Sequence, residues 1–479
     1  MLNFEKATPE ETGIPSGCIV RFIDRLQRRQ VPMHSLLLMR HDKLVFEGYY
    51  APCTADSPHR MFSISKSFTS IAVGLLADEG RISLEDPIIQ YFPEKLPDKD
   101  NIHPWIAQMT IKDMLMMRSC HASTTYKLDM TSDWVASFFT VQPTHPPRTL
   151  FHYDTSAAHT LCALVEKLTG HSMLDYLKEK LHILGFSEES YMIKDPFGVS
   201  MGGSGLVALS LDLMKFGYFI AHRGLVLGEQ LISPSYIDMA VSPLTANCVP
   251  APLPSEAQGY GLQFWRNERN GFTCYGMGGQ LIIFLPDHDL ICVTTADTQS
   301  IQGGNQQIYD ALYEEILPNI QETALPYDQG AEQSLHDTLA SLSMNPLESA
   351  ATPENFSEIN GRTYYVQTKS SDFQSFSARF SGDVGTLSFA YKNTTYDVPF
   401  GIGKMQTGIF PIHNLRYAAS GAWLFDGTLL VKAHIIDAYV GCVQFQLSFR
   451  GDELTIFMTK KEESLFHEFQ GHLYCRSQQ

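Results

Sequence analysis

The sequence predicts an α+β fold: an antiparallel sheet flanked by helices, with a mostly helical insert, followed by an all-β C-terminal barrel or sandwich. Three observations carry this expectation. Strand-like segments at 35–50 and 259–296 bracket a helical stretch, so one sheet draws on both ends of that region. Residues 320–356 break the composition, with Pro326, Pro346 and Pro353 and little β signal. Beyond them, short strands recur at even spacing. The chain, 479 residues and long enough for two domains, divides into 1–319, a linker at 320–356, and 357–479.

The first element is a helix capped by Ser16, with Ile19, Phe22, Ile23 and Leu26 as its buried stripe. Arg21, Arg25, Arg28 and Arg29 interleave with that stripe and read as its solvated face. Ser35–Met39 and Leu44–Phe46 flank a polar turn and form a hairpin. Phe68, Ile71, Ala72, Leu75 and Leu76 lie on one face of a helix over 63–79, which Gly80 stops. Asp86-Pro87 opens a short helix. Ala157–Leu168 is another, ended by Gly170, and Ser210 caps a third carrying Leu213, Phe216 and Phe219. Strands follow at Tyr260–Trp265, Gln280–Leu285 and Leu290–Thr295, with turns at Asn270-Gly271 and Pro286–Asp289, and a helix over 304–317 closes this half. After the linker, strands are expected at Tyr364–Thr368, Leu387–Tyr391, Leu429–Ile436, Val443–Phe449 and Leu454–Thr459.

Composition narrows the function classes. Apolar residues at 44% exclude intrinsic disorder. A net charge of −17 repels a phosphate backbone, so no nucleic-acid partner is expected. Nine cysteines with no Cys-x-x-Cys pair fit reduced thiols better than a disulfide framework or a zinc ribbon. The polar start Met1–Lys6 lacks a signal-peptide pattern, and no apolar run reaches the length of a bilayer span. A cytoplasmic protein without a membrane partner is expected; the oligomeric state stays open. His467-Glu468-x-x-x-His472 has one residue too many for a helical zinc pair, and no other cluster has metal spacing, so neither metal nor cofactor is expected.

One local pattern carries chemistry. Ser63-Ile64-Ser65-Lys66 opens the 63–79 helix and is the only Ser-x-x-Lys in the chain. Three residues apart on a helix, the two side chains share a face. A serine hydroxyl becomes nucleophilic when a neighbour takes its proton, and burial among Met61, Phe62 and Phe68 pushes a lysine toward that task. Three decoys compete. Gly198-Val199-Ser200-Met201-Gly202 lacks the preceding strand of a nucleophile elbow and reads as a loop. Tyr391-Lys392-Asn393 reads as a turn between strands, and Thr124-x-x-Lys127 lies in a polar loop.

The segment Met61–Leu76 resembles the active-site helix of the serine β-lactamase and penicillin-binding-protein superfamily. The closer likeness is to its class C-like branch of family VIII esterases, D-aminopeptidases and 6-aminohexanoate-oligomer hydrolases. The likeness continues at Asp78–Pro87, Met109–Leu115, Gly202–Leu206 and Gly278-Gly279-Gln280, in order across residues 8–318. It implies a β-lactamase/transpeptidase-like fold and a serine hydrolase acting through an acyl-enzyme on small ester, amide or peptide substrates. It further implies that Ser63 is the nucleophile, Lys66 its partner, and Tyr153, within Phe151-His152-Tyr153-Asp154-Thr155, the proton shuttle. The backbone N–H groups of Ser63 and Met277 match the oxyanion hole, and Thr155, Cys274, Tyr275 and Gly276 match the substrate-binding slots.

Two slots depart from the family pattern. Thr155 stands where the family has asparagine, so one donor replaces two. Cys274-Tyr275-Gly276 lacks the cation that binds the β-lactam carboxylate. Two alternatives therefore stand beside the hydrolase: a catalytically silent ligand-binding or sensor protein, and a true β-lactamase. By analogy, the C-terminal domain resembles the lipocalin-like barrels appended to similar hydrolases.

Overall fold

The computed structural model describes residues 1–96, 102–249, 253–462 and 465–478. The two predicted strand blocks join in one seven-stranded sheet. Its order is Glu5–Lys6, Lys43–Tyr49, Met33–Arg40, Leu290–Ala296, Gln280–Leu285, Phe272–Gly276 and Trp265–Arg266. All pairs are antiparallel except the two-residue edge strand Glu5–Lys6, which runs parallel to its neighbour. The blocks meet where Met33–Arg40 pairs with Leu290–Ala296, Leu37 opposite Val293.

Alternation along the strands sorts the core into two layers. Leu36, Leu38, Leu281 and Ile283 pack with the helix Ser16–Arg28 and with Ile308 and Leu312. Leu37, Met39, Ile282 and Val293 pack with the helices Ile64–Asp78, Thr155–Thr169 and Ser210–Ala221. Helix Ile64–Asp78 is buried nearly all round, more than its predicted stripe. Its hydroxyl-bearing side is satisfied internally: Ser67 Oγ donates to the Gln263 carbonyl at 2.8 Å and Thr69 Oγ1 to the Gly202 carbonyl at 2.9 Å.

Several local expectations are corrected. Ser16 is the first helical residue, not the cap; its N–H and hydroxyl both donate to the buried Glu10 carboxylate. Ser210 likewise lies inside its helix, with its hydroxyl against Ser35. The basic face of the first helix is partly paired, Arg25 reaching Glu314 and Glu315. Tyr260–Trp265 is not a continuous strand; only Trp265–Arg266 is. The helix over 304–317 is α-helical at Gln306–Ala311 and continues as a wider turn over Leu312–Ile316. Segment 320–356 contains the helix Gln329–Ala340, and Leu335, Leu342 and Met344 pack into the same layer as Ser16–Arg28.

The C-terminal part is a barrel. Nine strands from Thr363 to Ser477 close through a short parallel pairing of Thr394–Ile402 with Leu415–Trp423, Gly401 opposite Ser420. A tenth strand, Gln406–Phe410, lies on the edge of Leu415–Trp423. Phe376, Phe389, Phe400, Phe445 and Phe469 belong to the packed core of this part. Tyr391-Lys392-Asn393 is a turn, with Lys392 and Asn393 at positive φ, as expected. Among the described residues no helix is long and apolar enough to cross a membrane.

Candidate active site

Ser63 stands at the N-cap of helix Ile64–Asp78, directly after the strand His59–Phe62. Phe62 has φ +45°, a left-handed conformation that a bulky side chain rarely adopts. Ser63 is partly exposed, whereas Lys66, one turn on, is 1% exposed. Lys66 Nζ lies 2.9 Å from Ser63 Oγ, 3.3 Å from Thr155 Oγ1 and 2.6 Å from the Gly203 carbonyl oxygen. These three oxygens are acceptors placed around Nζ on three different elements.

Each acceptor arrives on a different element. Thr155 opens the helix Thr155–Thr169, which Asp154 caps and Gly170 ends at φ +77°. Gly203 comes from a loop held by the pairing of His59–Phe62 with Leu206–Ala208. A Cβ at Gly203 would sit 2.4 Å from the Thr155 methyl carbon, so only glycine lets the loop approach. Tyr153 completes the group: Lys66 Nζ is 4.7 Å from its ring centroid, and Trp265 packs on it at 5.2 Å between centroids. Its hydroxyl is withdrawn from solvent without a hydrogen-bond partner. Burial pushes the phenol well up, and the Ser63 and Trp265 side chains pull it partly back.

Met277 lies in the turn between Phe272–Gly276 and Gln280–Leu285. Its carbonyl accepts from Gln280 Nε2 at 2.8 Å, and the Gly278 carbonyl accepts from Thr298 N–H at 2.9 Å, which fixes the turn. A Cβ on Gly276 would lie 2.4 Å from the Met61 carbonyl oxygen, so this strand end touches the backbone just before the serine. On the side where a Cβ would project, the space beside Gly276 is occupied by chain. Tyr275 is half-buried against Trp265. Cys274, assigned to a substrate slot, points the other way. It is fully buried, and burial pushes its thiol up to about 12, with Ser67 pulling it partly back. Strand alternation puts neighbours on opposite faces, so Cys274 does not share a face with Tyr275.

The decoys fall outside this group. Ser200 is fully buried with an unpartnered hydroxyl, and Thr124 serves the Thr155 N–H as an acceptor at 3.2 Å. The sequence reading missed the Gly203 carbonyl and Trp265 as members of the site. Gly202–Leu206 was part of the quoted likeness, but a backbone acceptor leaves no side-chain signature.

Asp154 is wholly buried, and burial raises its carboxyl to about 6 despite hydrogen bonds from Ser156 and Ser119. A folded-state value above the unfolded one means that the folded chain holds this proton longer. The group's contribution to stability is therefore intact below the unfolded value near 4 and declines as pH rises toward and through 6. Asp154→Asn keeps an oxygen acceptor at the cap without the charge. Unfolding free energies of the two proteins from denaturant titrations are expected to diverge between pH 4 and 7 in favour of the variant, by up to about 3 kcal/mol. Parallel curves would contradict the assignment.

With this geometry in place, the relatives can be compared. The beta-lactamase family model matches residues 19–311, more than half of the chain. The 6-aminohexanoate-dimer hydrolase of Paenarthrobacter ureafaciens is 22% identical over 315 residues, which are 60% of this chain and 79% of that one. A solved structure assigned as a 6-aminohexanoate-dimer hydrolase of Bacillus anthracis superposes with a TM-score of 0.53 at 19% identity, over 65% of this chain and 86% of that one. EstCE1, described as a hydrolase with promiscuous acyltransferase activity, superposes with a TM-score of 0.51 at 15% identity, over 62% of this chain and 99% of that one. The fold and the Ser–Lys–Tyr grouping define a protein of the β-lactamase and penicillin-binding-protein superfamily. The chain belongs to the beta-lactamase family, a family of hydrolases.

Proposed function

We propose that the protein is a serine hydrolase that acts through an acyl-enzyme on small esters, amides or short peptides. The observation that carries this reading is the 2.9 Å approach of the buried Lys66 Nζ to the partly exposed Ser63 Oγ, beside the Tyr153 phenol. In the acylation step Ser63 Oγ bonds to the substrate carbonyl carbon. Its proton passes to the Lys66–Tyr153 pair, and the carbonyl oxygen takes the negative charge beside the N–H groups of Ser63 and Met277. The C–O or C–N bond then breaks, and Tyr153 returns the proton to the leaving group. Water repeats the sequence on the ester intermediate, releasing the acid and restoring Ser63.

A fluorophosphonate probe with intact-mass detection tests the nucleophile, and a panel of short acyl esters, D- and L-aminoacyl amides and nitrocefin tests the substrate class. Labelling of Ser63 with turnover of esters or amides supports the reading. Absence of labelling favours a ligand-binding protein, and nitrocefin turnover alone a β-lactamase.

Gly276→Ala probes the strand end. The methyl group meets the Met61 carbonyl at 2.4 Å, so the strand or the nucleophile turn must shift. Such overpacking is expected to cost about 1–3 kcal/mol of stability. A displacement of this kind beside the nucleophile is expected to lower kcat/KM by about tenfold or more. Calorimetry and steady-state kinetics measure both, and unchanged kcat/KM would place the strand end outside the reacting geometry.

A further inference from the structure

Arg60 lies three residues before Ser63 and is 4% exposed. A buried guanidinium is costly unless its N–H groups and charge find partners. Its partners here join the serine, the lysine and the barrel. Arg60 Nε donates to the Ser204 carbonyl at 2.5 Å, and Nη1 donates to the Ala438 carbonyl at 3.1 Å. The guanidinium also packs on two rings, 5.4 Å from the Phe62 centroid and 5.3 Å from that of Tyr439.

Both inner contacts touch residues next to the reacting groups. Phe62 is the left-handed residue immediately before Ser63. Ser204 follows Gly203, whose carbonyl accepts from Lys66. The outer contacts belong to the turn between the barrel strands Leu429–Ile436 and Val440–Arg450. Asp437 shapes that turn by accepting from the Ala438 N–H at 2.7 Å and the Arg416 N–H at 2.9 Å. The same turn reaches the opposite flank of the site. Gln299 Nε2 donates to the Val440 carbonyl at 2.9 Å, and a Cβ on Gly278 would meet the Gln299 Cγ at 3.4 Å.

We propose that Arg60 is a positioning residue: braced from outside by the barrel turn 437–440, it holds Phe62 and Ser204, and through them the orientation of Ser63 and the Lys66 cradle. The inference rests on Ser63 being the nucleophile of the proposed function. Phe62 needs a constraint to keep its strained backbone, and the guanidinium carbon lies over its ring, 5.4 Å from the centroid. Two divergent carbonyls and two ring faces call for a flat fork of donors, which arginine has and lysine lacks. By this account the barrel acts on the reaction without supplying a reacting group.

The test uses the full chain with Arg60→Gln, Arg60→Lys, Tyr439→Ala and the double variant Arg60→Gln/Tyr439→Ala. The readouts are the rate of Ser63 labelling by a fluorophosphonate, kcat and KM on a short ester, and the melting temperature. Arg60→Gln is expected to slow labelling and lower kcat by about 10²-fold, with KM changed by less than about threefold. Tyr439→Ala is expected to act in the same direction by about tenfold, and the double variant to be little worse than Arg60→Gln alone, since both remove one coupled support. Arg60→Lys should recover part of the loss. A role in stability alone would lower the melting temperature and leave labelling of the folded protein at the wild-type rate. Wild-type labelling in Arg60→Gln or in Tyr439→Ala overturns the proposal. If Arg60→Gln does not fold, Arg60→Lys and Tyr439→Ala decide on the same criterion. A wild-type protein that takes no label at Ser63 sinks the proposed function first and this inference with it.

Discussion

Ser63→Ala is expected to remove fluorophosphonate labelling entirely and to lower kcat/KM on a short ester by about 10⁴–10⁶-fold, the scale on which loss of a covalent nucleophile acts. The substitution removes one partly exposed oxygen and leaves the helix start intact, so the melting temperature should move little. Ser65 and Ser67 are no substitutes. Both are buried, Ser65 Oγ on the Phe62 carbonyl and Ser67 Oγ on the Gln263 carbonyl. Lys66→Met is the companion experiment. It keeps the volume of a buried side chain while withdrawing the donor from the Gly203 carbonyl, Thr155 and Ser63. The Gly203 carbonyl loses its lysine donor, so the melting temperature should also fall, by an amount worth about 1–3 kcal/mol. Among folded molecules the labelling rate should drop by about 10²–10⁴-fold, the range of a proton-transfer partner. An adduct of undiminished yield on the Ser63→Ala protein, mapped to another serine, would remove the basis of the assignment.

How much of this was legible depended on whether a feature leaves a side-chain pattern. Ser63 and Lys66 were legible because helical spacing puts them on one face and apolar neighbours bury the amine. Tyr153 needed the family likeness, since a tyrosine 90 residues from the serine joins it only through the fold. Cys274 was misplaced because a three-residue slot was read without its strand parity, and alternation turns that thiol into the core. Arg60 could not be read at all. Its partners are carbonyl oxygens and rings up to residue 439, and the dipeptide His59-Arg60 has no signature of its own.

The barrel shows the same division. Val440–Arg450 alternates buried and exposed side chains over its second half and was found. Leu415–Trp423 was not, because Ala418, Ala419, Ser420, Gly421 and Ala422 have weak strand preference. Those residues are small because the barrel closes there. A Cβ on Gly421 would meet the Phe400 ring at 2.4 Å. Barrel closure, not local propensity, sets that strand. The helix Gln329–Ala340 escaped notice for a related reason: Leu335 is its one buried residue, too thin a stripe to read against a proline-rich background.

Tyr153→Phe is expected to lower kcat/KM by about 10²–10⁴-fold while leaving the ring packing in place. The ring stays between Lys66 and Trp265, so the cation–ring contact at 4.7 Å and the packing at 5.2 Å survive. Only the hydroxyl goes, and its interactions with the Ser63 and Trp265 side chains lie outside hydrogen-bond geometry. Their loss costs little, so the variant should be about as stable as the wild type. Stability and activity then move apart, which a packing role cannot produce. The pH dependence sharpens the test. Burial pushes the phenol up, so at neutral pH its base form is the minor one and grows as pH rises. Wild-type kcat/KM is therefore expected to climb on the alkaline side of neutrality, and the Phe variant to lose that climb. If the variant keeps both the rate and the rising limb, the proton travels by Lys66 alone and Tyr153 only packs beside it.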